Sequence, residues 1–312
     1  MLISVILNCL NGEKFLKRSI ESVLNQTFDV FEIVFIDNGS LDLSGEIAKA
    51  YGSKISYYRN EVTSPLGQAR DQGIMLAKGD LIAFIDADDM WKSDKIENQI
   101  KLFGSGASFV FSNAEMSEGQ GKKFILFDYA MPRIDYIFNS LLEKDFITTS
   151  SVMFKKDLYI NSNEKYNKNL TIECDRDLFI RLSDGCNVKY TEDVLVTRYL
   201  HNSSTSVRRT AASIKELFYL EDSINNFSRN RAEDCSPSLD IFNSRLNFLK
   251  ARHYWQLGDL KNTRLSFLKS SRRKINLLLI LTYIYPFKSS LRPLLFLLTH
   301  LKYLSNFFKR RV

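Results

Sequence analysis

The chain has 312 residues, of which 45% are hydrophobic and 25% charged, with a formal net charge of +7. These proportions exclude extensive disorder, and the length suits one large domain with a smaller one. The four cysteines, Cys9, Cys174, Cys186 and Cys235, show no C-x-x-C spacing, so a disulfide framework and a cysteine zinc site are not indicated.

The N-terminal segment MLISVILNCLNGEKF has no basic stretch before its short apolar run, which is typical of a first strand and not of a signal peptide. We therefore expect a cytoplasmic protein. Up to about residue 110, apolar runs alternate with segments of helical period. The predicted strands are LISVILN, FEIVFID, KISYYRN, DLIAFIDADD and ASFVFSN, and the predicted helices are EKFLKRSIESVLNQ, LSGEIAKAYG, PLGQARDQGIMLAKGD and KSDKIENQIKLF.

This alternation predicts a Rossmann-like α/β domain with a mainly parallel sheet and helices on both faces. In such folds ligands bind beyond the carboxyl ends of the strands. Asn8, Asp37 and Asp86 all fall at predicted strand ends. Their shared position makes this edge of the sheet the first candidate for a functional site.

The second half of the chain has a mixed pattern. FITTSSVMFKKDLY predicts a strand leading into a turn, DRDLFIRLSDG a helix, and NVKYTEDVLVTRYLH one or two strands. Beyond about residue 208 the pattern is wholly helical, with one turn at Gly258-Asp259. We predict an α/β domain over residues 1–207 and an all-helical C-terminal region over residues 208–312.

Residues 272–312 carry nine lysines and arginines and no acidic residue. The run INLLLILTYIYPF is shorter than the roughly 20 residues that span a bilayer, but basic residues among large apolar ones are typical of interfacial helices. We expect this tail to associate with the cytoplasmic membrane surface. The alternative is a helical cap on the core or an oligomer contact. The apolar content argues against nucleic acid as the partner.

The stretch FIDADDMW places Asp86, Asp88 and Asp89 directly after an apolar strand. Carboxylates this close raise each other's pKa, so a cation is expected beside them. Carboxylate oxygens suit Mg²⁺ or Mn²⁺, which commonly bind one or two carboxylates together with substrate phosphates. The alternative is a solvated acidic turn at the start of the next helix.

Several common site motifs are absent from the sequence. There is no G-x-G-x-x-G after the first strand, no G-x-x-x-x-G-K-[ST] and no H-E-x-x-H. With only three histidines, His201, His253 and His300, a histidine-rich metal site is excluded.

Three segments together resemble the inverting family 2 of nucleotide-sugar glycosyltransferases, which have the GT-A fold. They are SVILNCLNGEKFLKRSIESVLNQTF, EIVFIDNGSLD and GQARDQGIMLAKGDLIAFIDADDMWKSDKIENQ, in that order and spacing. The resemblance covers residues 2 to about 100, with weaker traces to about 206. It implies an enzyme that transfers a sugar from a nucleotide-sugar donor.

The resemblance implies a nucleotide-sugar site on the first half of the chain. Asp37 would accept a hydrogen bond from the uracil N–H, and Asn8 and Asn11 would line the same mouth, although Asn11 could instead only shape the turn. Ser40 belongs to the Asn-Gly-Ser turn that follows Asp37. Arg70 stands where the family has a nucleotide-contacting arginine, with a surface ion pair as the alternative.

The acidic stretch has its own implied roles. Asp86 would contact the ribose, Ala87 would lie at the nucleotide sugar, and Asp88 would bind Mn²⁺ or Mg²⁺. Asp89 would orient the loop, and Trp91 would pack it. The family usually has Asn where this chain has Asp71, so Asp71 is not a candidate.

The second half of the chain would supply the catalytic general base. IECDRDLFIRL is similar to the family's Glu-Asp-x-Asp-Leu segment, which makes Asp175 the general base, with Cys174 in place of the usual Glu. A helix-terminal charge is the alternative for Asp175. RYLHNSSTS resembles the family's Tyr-Arg-x-His segment, with Arg198 and Tyr199 exchanged, and His201 would touch metal or phosphate unless it is a structural histidine.

The sequence therefore predicts a metal-dependent inverting glycosyltransferase that uses a UDP- or dTDP-sugar and a glycan or lipid-linked acceptor, in bacterial surface polysaccharide assembly. A metal-dependent phosphohydrolase or nucleotidyltransferase matches less well, because their characteristic loops are missing. A non-catalytic sugar-nucleotide binder or scaffold of the same fold is the rival from another class.

Overall fold

Seven of the nine strands of the described chain match the predicted strands in order, and the two short strands at 90–91 and 123–125 were not predicted. The structure, a computed structural model, describes residues 1–29, 31–118, 121–201 and 211–270. The strands are β1 (Ile3–Cys9), β2 (Phe31–Asp37), β3 (Ser56–Arg59), β4 (Leu81–Asp86), β5 (Met90–Trp91), β6 (Phe109–Ser117), β7 (Lys123–Ile125), β8 (Met153–Lys155) and β9 (Val188–Tyr199).

These strands form one mixed sheet in the order β3-β2-β1-β4-β8-β6-β9-β5, with β7 paired to β6. The half built from β3, β2, β1 and β4 is parallel. Beyond β4, strand β8 runs antiparallel to both of its neighbours, and β6 pairs parallel with β9. The parallel half brings the carboxyl ends of β1, β2 and β4 to one edge, as predicted.

Eleven α-helices lie within the described residues. They are α1 (Glu13–Leu24), α2 (Ser44–Lys49), α3 (Leu66–Leu76), α4 (Lys95–Gly104), α5 (Leu126–Tyr129), α6 (Ile137–Glu143), α7 (Lys156–Asn161), α8 (Cys174–Leu182), α9 (Ala211–Arg229), α10 (Ser236–Leu257) and α11 (Leu260–Lys269). Helices α1 and α4 bury Leu16, Ile20 and Ile96 in one core with alternate residues of β1, β2 and β4.

The opposite face of the sheet is covered by α3 and α8, so the predicted two-faced arrangement is confirmed. Phe179 on α8 lies 6.4 Å from Phe84 on β4, measured between ring centroids. Helix α3 approaches β1 closely, because a Cβ atom added at Gly73 would lie 2.5 Å from Cγ2 of Ile6. A glycine there lets the helix carry Arg70 towards the strand ends.

Several predicted element boundaries are wrong. Helix α3 ends at Leu76 and not near Gly79, because Ala77 is already extended and Gly79 lies against Ser4. The strand in FITTSSVMFKKDLY is only Met153–Lys155, and it leads into helix α7 and not into a turn. Before it, 149–151 form a 3-10 turn, in which Ser151 Oγ donates to the Thr148 carbonyl at 2.7 Å, in the way hydroxyl side chains favour turns over strands.

The chain divides into two compact units. The described part of one comprises residues 1–29, 31–118, 121–201 and 215–239, and the described part of the other comprises residues 211–214 and 240–270. Within the second unit, Phe248 and Phe267 pack with ring centroids 6.0 Å apart. Its predicted turn is confirmed, with Gly258 at φ +80° between α10 and α11. The predicted division at residue 207 stays a prediction.

The C-terminal segment 271–312 lies outside the described residues, so the predicted membrane-associating tail is not described. Among the residues that are described, no helix combines the length and the apolar character that a membrane crossing requires.

Candidate active site

The site begins where β1 and β4 end side by side. Asn8 and Asp86 are register partners in the parallel pair. Asn8 is 8% exposed, and neither Nδ2 nor Oδ1 of its side chain has a hydrogen-bond partner among the described residues. A buried amide without partners costs stability unless a ligand completes it. Asn8 is therefore available for a polar ligand at this edge.

Asp37, at the end of β2, is fully buried and already paired. Its Oδ2 accepts from the Tyr57 hydroxyl and from Arg59 Nη1, each at 2.7 Å, and its Oδ1 accepts from the Ser40 amide at 2.8 Å. Burial opposes ionisation, but these hydrogen bonds and the Arg59 charge hold the pKa of Asp37 below its usual value. A contact between Asp37 and a nucleotide base stays a prediction. For such a contact, the Asp37 carboxylate would have to give up one of these three partners.

Asn11 and Ser40 join the loops after β1 and β2. The Asn11 amide donates to Ser40 Oγ at 3.0 Å, and Asn11 Oδ1 accepts from the Leu41 amide at 2.8 Å. Asn11 has φ +54°, a left-handed conformation that asparagine tolerates better than most residues. Both residues thus build the rim of the site, and their contact with a ligand stays a prediction.

The acidic turn after β4 brings three carboxylates together. One oxygen from each of Asp86, Asp88 and Asp89 lies within 4.8 Å of the others. Asp89 is 2% exposed, and burial, together with the charges of Asp86 and Asp88, raises its pKa well above the usual range. The predicted loop-orienting position of Asp89 agrees with its contacts, because Ser150 Oγ donates to it at 2.6 Å.

Asp88 and His201 meet although they are 113 positions apart in the sequence. His201 Nε2 lies 2.9 Å from Asp88 Oδ2, and the His201 ring stacks on Phe15 at 4.4 Å. Burial and then the Asp86 charge raise the pKa of Asp88, and the His201 contact acts against that rise. Arg18 on α1 donates to the backbone carbonyl of Asp88 at 2.8 Å and so holds the acidic turn in place.

Arg70 joins the two halves of the site. Its Nη2 pairs with Asp86 and its Nη1 pairs with Asp175, and the arginine side chain is only 3% exposed. Burial alone would lower the pKa of Arg70, but the charges of Asp175 and Asp86 raise it well above its usual value. The surface ion pair considered for Arg70 is wrong because the pair is buried, and direct contact with a nucleotide stays a prediction.

Asp175 lies in the first turn of α8, and two further donors hold it. Thr149 Oγ1 donates to Oδ2 at 2.9 Å, and the Tyr166 hydroxyl donates to Oδ1 at 3.0 Å. Cys174, which stands where the family has Glu, is fully buried and donates its thiol to the Thr171 carbonyl at 3.2 Å. No carboxylate therefore replaces that Glu at position 174.

The acidic turn fits a divalent cation by its own chemistry. Three hard oxygen donors converge, and burial together with the neighbouring carboxylate charges raises the pKa of Asp88 and Asp89, so a bound cation would relieve the repulsion. His201 adds a nitrogen donor beside Asp88. Mn²⁺ accepts such a mixed set, and Mg²⁺ suits the oxygen donors.

Sequence reasoning missed the hydroxyl residues that hold the site together. Ser150 Oγ also accepts from the Asp86 amide at 3.0 Å, and the Ser150 carbonyl accepts from Trp91 Nε1 at 2.8 Å. The hydroxyl run in TTSS was a usable signal for Thr149 and Ser150. Tyr166 had none, because its neighbours in sequence are ordinary polar residues. Trp91 is 3% exposed and packs the turn, as predicted.

Comparison with known proteins places this arrangement in a family. Residues 4–161, about half of the chain, match the family model of Glycosyl transferase family 2. The chain is 27% identical to the glycosyltransferase GlyG of Streptococcus pneumoniae, covering 84% of this chain and 88% of that protein. It is also 27% identical to an uncharacterized glycosyltransferase of Rickettsia typhi, covering 66% of each.

Solved structures share the fold at low identity. TarS 1-349 of S. aureus in complex with UDP-GlcNAc has a TM-score of 0.68 at 16% identity, covering 89% of this chain and 84% of that one. The mannosyltransferase PcManGT of Pyrobaculum calidifontis in complex with GDP-Man and Mn²⁺ has a TM-score of 0.58 at 14% identity, covering 90% of this chain and 79% of that one.

The fold is the GT-A fold, as the sequence predicted, and the family match shows a glycosyltransferase. The chain belongs to glycosyl transferase family 2.

Proposed function

We propose that this glycosyltransferase moves a sugar from a UDP- or dTDP-sugar to an acceptor hydroxyl with inversion at the anomeric carbon. The observation that carries the proposal is the position of Arg70 between Asp86 and Asp175. It places the acidic turn of the first half and the carboxylate of α8 around one buried guanidinium. A donor-side group and an acceptor-side base need such proximity.

Asn8 supports a nucleotide on the donor side. Its side-chain amide offers a donor nitrogen and an acceptor oxygen, both buried and without partners among the described residues. The edge of a uracil or thymine base presents the complementary acceptor and donor. Asp37, Asn11 and Ser40 would frame that base from the neighbouring loops, and Asp86 and Ala87 would lie at the ribose and sugar.

Asp175 is the proposed general base. The acceptor hydroxyl gives its proton to the Asp175 carboxylate while its oxygen bonds to the anomeric carbon. The bond from that carbon to the diphosphate oxygen breaks on the opposite face, and the nucleoside diphosphate leaves. Thr149 and Tyr166 hold the carboxylate through hydrogen bonds. General base catalysis of this kind is typically worth about 10²- to 10⁴-fold in rate.

Asp88 and His201 are the proposed holders of a divalent cation. Mn²⁺ or Mg²⁺ bound there would supply positive charge that stabilises the leaving diphosphate. Arg18 keeps the Asp88 backbone in place through its hydrogen bond to the carbonyl. The PcManGT complex contains Mn²⁺, which is in keeping with this assignment although that ion belongs to another protein.

The acceptor side rests on the sequence alone. We propose a glycan or lipid-linked acceptor in the assembly of a bacterial surface polysaccharide, handled at the cytoplasmic face of the membrane. In this proposal residues 1–207 form the catalytic domain, and the helical region 208–312 with its basic tail associates peripherally with the membrane. Nucleic acid is not a proposed partner.

Thermal stability with a panel of nucleotides and nucleotide sugars tests the proposal, with and without Mn²⁺. A ligand at 100 times its dissociation constant stabilises by about 2.7 kcal/mol, which is a readable shift. We expect UDP or dTDP compounds to stabilise the wild type, and Asp88→Ala to lose the metal-dependent part. Asp94→Ala is the matched control, because Asp94 is exposed and lies outside the turn.

The same panel separates the rival function. A non-catalytic binder would show the stabilisation without any transfer or release of nucleoside diphosphate. Stabilisation by purine nucleotide sugars alone, or none by any nucleotide, would contradict the proposed donor class.

A further inference from the structure

A buried carboxylate on α9 contacts the segment that precedes α8. Glu216 is 9% exposed, and its Oε2 accepts hydrogen bonds from three successive amides. The distances are 3.0 Å to the Thr171 nitrogen, 2.7 Å to Ile172 and 3.2 Å to Glu173. Glu216 lies 43 positions from the nearest of these residues in sequence.

This contact anchors the segment that leads into α8. The helix begins at Cys174, with Glu173 at its N-cap position, so the three amides bound by Glu216 precede the first turn of the helix. Successive amides that converge on one anion form a concave anion site, and here Glu216 of another helix occupies it.

The segment that Glu216 anchors leads directly to the proposed general base. Asp175 follows Glu173 by two residues and lies in the first turn of α8. Its carboxylate is held on the other side by Arg70, Thr149 and Tyr166. The Glu216 charge also reaches the site, because it adds to burial and to the Asp175 charge in raising the pKa of the Cys174 thiol.

We infer that Glu216 is a positioning residue that holds the start of α8, and with it Asp175, in register with the acidic turn. The inference rests on the proposed role of Asp175. It gives the helical region beyond residue 207 a part in catalysis, in keeping with the grouping of residues 215–239 in the same compact unit as the sheet. Small displacements of a catalytic group can cost about 10²-fold in rate.

The test compares Glu216→Ala and Glu216→Gln with the wild type in steady-state transfer, using the full chain. We expect Glu216→Ala to lower kcat about 10- to 100-fold while the donor KM and the stabilisation by UDP with Mn²⁺ stay unchanged. Glu216→Gln keeps an oxygen acceptor for the amides, so it should retain an intermediate kcat. Asp222→Asn on the same helix is the control, because Asp222 is exposed.

Two results would overturn the inference. One is a wild-type kcat in Glu216→Gln and Glu216→Ala while Asp175→Asn is inactive. The other is a loss of donor binding and melting temperature in Glu216→Gln in proportion to kcat, which a purely structural role would produce. If Asp175→Asn itself stays active, the proposed function fails instead, so the two failures are distinguishable.

Discussion

Arg70 on α3 pairs with Asp175 at the start of α8, 105 positions further along the chain. The same guanidinium pairs with Asp86, the last residue of β4. A single buried cation therefore fixes the distance between the acidic turn and the proposed base. The arrangement is costly to break, because it would leave carboxylates without their counter-ion.

Replacing Arg70 with Met should destabilise the fold by about 3 kcal/mol, since removing one partner of a buried ion pair leaves uncompensated charge. The double variant Arg70→Met with Asp175→Asn should recover part of that loss, because one of the two stranded carboxylates is then neutral. Free energies of unfolding in urea for the four members of this cycle give the coupling directly.

Lys17→Met is a matched control for the Arg70 cycle. Lys17 on α1 pairs with Glu21 at 3.8 Å on the surface, with a side chain that is 74% exposed. Exposed pairs of this kind contribute little. Additive effects of Arg70→Met and Asp175→Asn would show that the pair does not link the two halves.

Replacing Asn8 with Leu, which has a similar shape, should separate stability from binding. Loss of a buried amide without partners should raise the free energy of unfolding of the ligand-free protein by about 1 kcal/mol. The same change should weaken UDP binding at least about 10-fold, as expected for a lost buried hydrogen-bonding group. Urea unfolding and calorimetric titration measure the two effects.

Unchanged UDP affinity in Asn8→Leu would show that the amide does not face the donor. If ligand-free Asn8→Leu were less stable than the wild type, the Asn8 side chain would have to make hydrogen bonds that the structure does not show.

Lys95 gives a prediction of pH dependence. It is fully buried, with its Nζ 2.6 Å from Gln99 Oε1 and 4.0 Å from the Trp91 ring centroid, and burial lowers its pKa well below the usual 10.5. Between the lowered folded pKa and 10.5, the unfolded chain binds one more proton than the folded protein. Stability contributed by this residue must therefore rise with pH in that window.

The stability of the wild type relative to Lys95→Met should therefore increase as the pH rises towards 10.5, by up to about 1.4 kcal/mol per pH unit. Unfolding free energies of both proteins over this range measure the slope. Parallel curves for the two proteins would contradict the prediction and mean that Lys95 stays protonated in the fold.

The sequence predicts the strand-end part of the site well, for a physical reason. Parallel strands bring their carboxyl ends to one edge, so Asn8 and Asp86 could be placed together from periodicity alone. The acidic turn was equally visible, because three carboxylates after an apolar run stand out by charge. Family resemblance then pointed to Asp175 and His201.

Contacts over long sequence separations were beyond the sequence. Tyr166 and Glu216 have no local pattern that indicates which residue they meet. Lys95 follows polar residues at the start of a helix, which favours exposure, yet tertiary packing buries it. The contacts that Tyr57 and Arg59 of the neighbouring strand β3 make with Asp37 were not indicated by the sequence, and the predicted contact of Asp37 with a ligand stays a prediction.

The central claim is that Asp175 removes the proton from the acceptor hydroxyl. Binding of the nucleotide-sugar donor should not require Asp175. The most direct measurement is the rate of sugar transfer by the wild type and by Asp175→Asn, with the nucleotide sugar that gives the largest stabilisation. We expect a kcat about 10²- to 10⁴-fold lower in the variant, with donor binding retained. A transfer rate equal to that of the wild type would contradict the claim.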